Sequence, residues 1–392
     1  MADQVRDQQW PLRTFEAETK IWAVSQGDGI VVGVVDTGVN QDHQDLAGQV
    51  LPGADFSGGN TDGRVDTDGH GTGMASLIAG HGHGTQAGVM GLAPKAKILP
   101  VKVGTQGDGQ VPQANGFADA IRYTVDHGAK VVNVSLGGNY RFDSQLRKAV
   151  NYAVSRDVVL VAATGNTGLD MDVNYPAAFP GVVAVGAVDS NGAVWEKSTS
   201  GPETTLTAPG VGIYHASANS PTSYGSGNGT SDAAAYVSAT AALIRSKYPD
   251  LSAGQVINRL VKSATPPSNG TVVPNKHYGY GVLAPAKALE PNPAVDNGPK
   301  ENPLANRPES KGTPPSDDDT DATDQPSAPP APEAGSGGGG GDVTGLVVAA
   351  VAAGAVVVGA SAAAVVMSRR RKRALAAAPP YPPQPPYGGP GR

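Results

Sequence analysis

Cysteine is absent from the chain, which excludes disulfide cross-links, a thiol nucleophile and thiolate metal sites while leaving the compartment open. Charge is sparse as well. Only 16% of the residues are charged and the formal net charge is −6, so the basic footprint of a nucleic-acid binder is missing and no nucleic-acid partner is expected. The opening segment MADQVRDQQWPLRTFEAETK holds no apolar run of the kind that begins a secretory signal. A second Asp-Thr-Gly turn is also lacking: VVDTG, Val34 to Gly38, stands alone. An aspartic protease needs two carboxylates sharing a proton, commonly on two such turns, so that reading of Asp36 has no partner.

In abundance are glycine and proline, 53 and 33 among 392 residues. This composition points to a folded part joined to low-complexity material that cannot bury enough apolar surface to order itself. The folded part runs from Ile30 to about Leu289. There, short apolar runs (IVVGVVD, AKILPVKV, AKVVNVSL, VVLVAATGN, VVAVGAV) alternate with segments of helical period such as GFADAIRYTVDHG and SQLRKAVNYAVSR. Continuous apolar strands separated by amphipathic helices predict an α/β domain with a mostly parallel sheet covered on both faces.

Five segments are expected. Residues 1–29 form an N-terminal extension and 30–290 the α/β domain. Residues 291–342, rich in Pro, Gly and Asp, read as a linker that spans roughly 40 Å as a flexible coil. Residues 343–367 carry no charge and are long enough to cross a hydrocarbon core of about 30 Å. Residues 368–392 begin with Arg369, Arg370, Arg371, Lys372 and Arg373 and end proline-rich. By the positive-inside rule that end is cytoplasmic, which puts the folded domain outside the membrane. An exported domain needs a signal segment, so the expectation is either a start site upstream of Met1 or a tail anchor oriented against its basic flank.

Three polar residues sit on glycine-flanked turns at the edges of apolar elements. Asp36 ends the first strand. His70, in DGHGTGMASLIAG, leads into a helix of small residues. Ser231, in GNGTSDAAAYVSATAALI, falls in the first turn of a buried helix. Each alone has an ordinary reading: strand-end turn, loop imidazole, helix cap. Together they give Asp, His and Ser, the set in which a carboxylate orients an imidazole that takes the serine proton.

VVDTG, DGHGTGMASLIAG and GTSDAAAYVS resemble the three active-site signatures of the subtilases, subtilisin-like serine proteases, over about Val31 to Leu289. More narrowly, VRDQQW, GQVLPGADFS, GLAPKAKILPVKV and the apolar C-terminal segment with its arginines are similar to the mycosins, subtilases attached to type VII secretion systems of actinobacteria. The resemblance implies a three-layer subtilisin-like fold plus a C-terminal transmembrane helix. It implies catalysis by Asp36, His70 and Ser231, with Asn166 at the end of VVLVAATGN as oxyanion donor, and substrate pairing along Ser135, Leu136 and Gly137. Gly137 and Gly138 lack side chains and are expected to leave room for an extended protein or peptide substrate.

No cofactor or metal is assigned. His81 and His83 lie on a glycine-rich turn, and Asp45 matches a calcium ligand of many subtilases, but a single carboxylate does not make a site. One departure from the family pattern is Asp232, a carboxylate beside the nucleophile where an apolar residue is usual; pointing toward His70 it would raise the imidazole pKa. Two readings follow. One is a single-pass membrane-anchored endopeptidase acting on extracytoplasmic protein substrates, with a possible place in a type VII secretion complex. The other is a largely non-catalytic structural component of such a complex.

Overall fold

A computed structural model describes residues 4–106, 111–112 and 114–309; the expected span at 343–367 and the basic tail lie outside them. At its centre is a seven-stranded sheet. Its strands are β1 (Val31–Asp36), β2 (Ala54–Phe56), β3 (Lys97–Val103), β4 (Val131–Val134), β5 (Val159–Ala163), β6 (Val183–Val188) and β7 (Thr204–Pro209). They are ordered β7-β6-β5-β4-β1-β3-β2, and every pairing is parallel. The α/β architecture expected from the alternating runs is present. Among the described residues no helix is long and apolar enough to cross a membrane.

Along β5, Val159 and Val161 enter one core while Leu160 and Ala162 enter the other, the period-two alternation of a strand buried on both faces. The first core is closed by helices α1 (His70–Ala79), α4 (Thr230–Lys247) and α5 (Ala253–Ser263), the second by α2 (Ala114–Asp126) and α3 (Ser144–Ser155). Helix α4 is buried along nearly its whole length. Its alanines, Ala233, Ala234, Ala235, Ala239, Ala241 and Ala242, bring the helix close to the sheet, and a helix apolar on all sides belongs in an interior.

Residues at both ends of the described chain are stitched to this body. Arg6 Nε donates to Gly88 O at 3.0 Å, Gln9 exchanges two 2.9 Å bonds with Met90, and Trp10 Nε1 donates to Val211 O at 3.0 Å. Leu12, Phe15, Ala17 and Ile21 then enter the first core. At the other end, the stretch from Pro291 to Glu309, read above as the start of a linker, is folded. Arg259 forks onto Asp296 at 2.8 and 2.6 Å. Arg307 donates to Glu203 O, Ala177 O and Phe179 O at 2.6, 2.9 and 2.8 Å. Burial outweighs the nearby Glu203 and Glu309 and lowers the Arg307 guanidinium to about 10. The expected boundary at residue 290 therefore moves outward. Proline-rich composition removes helix and strand patterning from this segment, but leaves side chains and carbonyls able to anchor it.

Candidate active site

In an open parallel sheet, sites form beyond the carboxyl ends of the strands where the order changes direction. Here β5, β4 and β1 are neighbours. Asp36 closes β1, Ser135 follows β4, and Asn166 lies just past β5. The sheet thus brings three widely separated segments to one edge, and α1 and α4 start there.

Asp36 is fully buried. Its Oδ1 accepts from His70 Nδ1 at 2.7 Å and from Thr37 N at 2.8 Å. The glycine before His70, Gly69, has φ 106°, a conformation that suits glycine and aims the first residue of α1 back at β1. Gly71 is equally constrained, because a Cβ there would lie 2.1 Å from Gly38 O and 3.0 Å from Asp36 Cβ. Burial pulls the His70 imidazole down, but the charge and hydrogen bond of Asp36, aided by Asp232 and Asp68, outweigh it and hold the group at about 9.

Sequence reasoning missed the residue that ties these turns together. Asp66 Oδ1 accepts from Thr37 Oγ1, Asp68 N and Gly69 N at 3.0, 3.0 and 2.9 Å. Its Oδ2 accepts from Thr72 N at 2.9 Å and Thr72 Oγ1 at 2.6 Å. A buried carboxylate satisfied this fully fixes the loop carrying Asp36 against the helix carrying His70. The string VDTDGHG offered a signal, since a carboxylate before a helix start seeks backbone donors.

On the other side, Ser231 is the second residue of α4. Its hydroxyl donates to Ser135 O at 2.9 Å, and Ser135 Oγ donates back to Ser231 O at 3.1 Å. Among the described residues no hydrogen bond joins Ser231 to His70. Asn133 supports the junction, donating to Ser135 Oγ at 2.9 Å and accepting from Ser238 Oγ at 2.8 Å. Ser135, expected to meet substrate, is thus also the brace of the α4 start.

Asn166 Oδ1 accepts from Thr230 N and Thr230 Oγ1, both at 3.0 Å. With its oxygen held there, the amide presents Nδ2 on the opposite side. That Nδ2 lies 3.7 Å, and Ser231 N 3.6 Å, from the position a Cβ would occupy on Gly229. Two donors therefore border one small space. Thr230 sets the orientation of this amide, a role that its place in Gly-Thr-Ser did not reveal.

The space beside Gly137 and Gly138, expected to admit substrate, is largely filled by the protein itself. A Cβ on Gly137 would lie 2.9 Å from Tyr175 O and 3.2 Å from Asn174 Cβ, and one on Gly138 would lie 3.0 Å from the Tyr140 ring. Gly138 also pairs through both backbone groups with Tyr175, at 3.2 and 2.9 Å. Both backbone groups of Gly138 are thus already engaged within the protein. A cavity of about 430 Å³ opens beyond, lined among others by Arg141, Asp170, Asn174 and Glu203.

The histidines of the Gly-rich turn are engaged internally. His83 Nδ1 bonds Asp45 Oδ1 at 2.7 Å, Val89 N donates to Asp45 Oδ2 at 2.8 Å, and His81 Nε2 pairs with Ala47 O at 3.0 Å. Both Asp45 oxygens thus accept from nitrogen donors, and among the described residues no group of three or more His, Asp or Glu is placed to hold a metal.

Residues 27–281 match the Subtilase family. Subtilisin DY of Bacillus licheniformis is 39% identical over 265 residues, covering 66% of this chain and 90% of the relative. Among solved structures, MycP1 with its N-terminal propeptide removed is 30% identical with a TM-score of 0.63, covering 74% of this chain and 99% of that one. The MycP3 protease from the type VII (ESX-3) secretion system is 32% identical with a TM-score of 0.63, covering 72% and 88%.

Proposed function

The chain belongs to the subtilase family and is a subtilisin-like serine endopeptidase; from that premise we propose that Ser231 is its nucleophile, His70 its general base and Asp36 the carboxylate that orients His70. Asn166 and the Ser231 N–H are the oxyanion donors in this reading. The observation that carries it is the 2.7 Å bond between His70 Nδ1 and the fully buried Asp36. In the neutral imidazole a proton held at Nδ1 leaves the Nε2 lone pair as acceptor.

The Ser231 hydroxyl leaves the Ser135 carbonyl by rotating about Cα–Cβ and donates to Nε2. Oγ attacks the scissile carbonyl carbon, its proton passes to Nε2, and the carbonyl π pair moves onto oxygen between the two donors. Collapse breaks the C–N bond, and the amine leaves with the proton from Nε2. Water repeats the sequence on the acyl-enzyme and releases the carboxylic acid. Helix α4 adds its positive end at the same place.

The substrates proposed are unfolded or loop-like proteins, paired in extended form along Ser135, Leu136 and Gly137. Similarity to MycP1 and MycP3 supports association with a type VII secretion complex. The uncharged stretch at 343–367 and the arginines after it support a single-pass anchor with the domain extracytoplasmic. A second reading, a largely structural component of that complex, draws on the Ser231 hydroxyl being engaged with Ser135 O.

Labelling with a fluorophosphonate separates the two. Rapid modification of the folded protein, abolished in Ser231→Ala, is expected for the enzyme. A folded parent left unmodified at every pH, with Asp232→Asn equally silent, would establish the structural reading.

A further inference from the structure

Asp232 follows the nucleophile and is almost completely buried, at 4% exposure. Its Oδ1 has no hydrogen-bond partner among the described residues. Its Oδ2 lies 3.3 Å from the Cβ position on Gly229, the point that Ser231 N and Asn166 Nδ2 also border at 3.6 and 3.7 Å. A carboxylate oxygen therefore borders the same point as the two proposed oxyanion donors. Its own backbone N–H at the start of α4 favours the charged form, yet Oδ1 stays buried without a partner among the described residues, where a surface charge would be solvated.

We propose that Asp232 is a positioning residue that restrains the reaction: ionised, it favours the protonated, resting form of His70 and opposes the negative charge developing between Asn166 and the Ser231 N–H. The inference rests on the assignment of His70, Ser231 and Asn166 given above. Two physical effects act in the same direction. A negative group in a water-poor site stabilises an imidazolium close by, which removes the base. The same charge beside the oxyanion donors raises the energy of the tetrahedral intermediate, the state those donors exist to stabilise.

The groups whose charges act on Asp232, or on which it acts, come from three elements. His70 projects from α1, backed by Asp36 and Asp68. His215 projects from the Ile213–Ala216 strand. Tyr236 sits one turn along α4, and its hydroxyl also lacks a partner. Burial raises the Asp232 carboxyl above its usual range, while His215 and then His70 pull it back. Asp232 raises His70 in return, behind the two contributions of Asp36. Neutralising Asp232 thus frees His70 to lose its proton at lower pH.

The test is the second-order rate of fluorophosphonate labelling from about pH 6 to about pH 11, a range that spans the His70 titration, for the parent, Asp232→Asn and Asp232→Ala. Ser231→Ala is the control, and the melting temperature of each protein is recorded. Both Asp232 variants are expected to shift the midpoint of the alkaline rise downward by about one pH unit and to label ~10-fold faster below it, the size of one partly screened charge at this range. Curves that superimpose on the parent, a loss of rate with an unmoved midpoint, or a shift in Asn but not in Ala would each overturn the proposal. Labelling that persists in Ser231→Ala refutes the nucleophile assignment instead, so the two failures are distinguishable.

Discussion

The two halves of the site are built to different standards. On the β1–α1 side, Asp36 and His70 are locked together and Asp66 satisfies five donors from the loops that carry them. On the β4–α4 side, the Ser231 hydroxyl is turned to Ser135 O; among the described residues each side also keeps one buried carboxylate oxygen without a partner, Asp36 Oδ2 on the first and Asp232 Oδ1 on the second. The first half is preorganised in its working arrangement; the second must rotate a hydroxyl and tolerate a charge. Preorganised groups lose no reorganisation energy at the moment of reaction, so the barrier is expected to be set on the serine side.

Substitutions break this comparison in graded steps. Asp36→Asn keeps the shape of the tight half but removes its charge and its hold on the tautomer, and kcat/KM is expected to fall by ~10⁴. Peptide hydrolysis measured on the folded variant checks this, and a loss below tenfold would mean that His70 is oriented by something else. Asn166→Ala removes one donor from the looser half and is expected to lower kcat by ~10²–10³ with KM little changed. A change confined to KM would assign Asn166 to substrate binding. Asp66→Asn touches no reacting atom. It should lower kcat about tenfold through misplacement of His70 and destabilise the domain by about 2 kcal/mol through unmatched buried donors. A thermal melt alongside the rate shows whether both move; stability lost with catalysis intact would reduce Asp66 to a structural tie.

The tight half was also the easier half to read. Asp36 and His70 sit on glycine turns beside strong apolar patterns, one closing strand β1 and the other opening helix α1. The same holds for the sheet as a whole, whose runs in VVLVAATGN and VVAVGAV became β5 and β6. What escaped were residues defined only by distant partners. Asp66 reaches back to Thr37 and Thr230 reaches Asn166 across 64 positions, and no local pattern encodes such a pairing. The glycines of the substrate segment have a further, internal reason that no local pattern shows. Their missing side chains are required by Tyr175, Asn174 and Tyr140, which arrive from elsewhere in the chain. At the chain ends, composition hid order: Leu12, Phe15 and Ile21 are too few to show a period yet enter the core.

The folding of residues 291–309 has a mechanical consequence. Tension applied from the C-terminal direction meets Glu309, paired with Arg147, and then Arg307, gripping carbonyls on either side of β6, before it reaches any strand. The load is then shared among several short hydrogen bonds. Several of the contacts that hold this segment thus lie on carbonyls flanking β6, away from Asp36, His70 and Ser231.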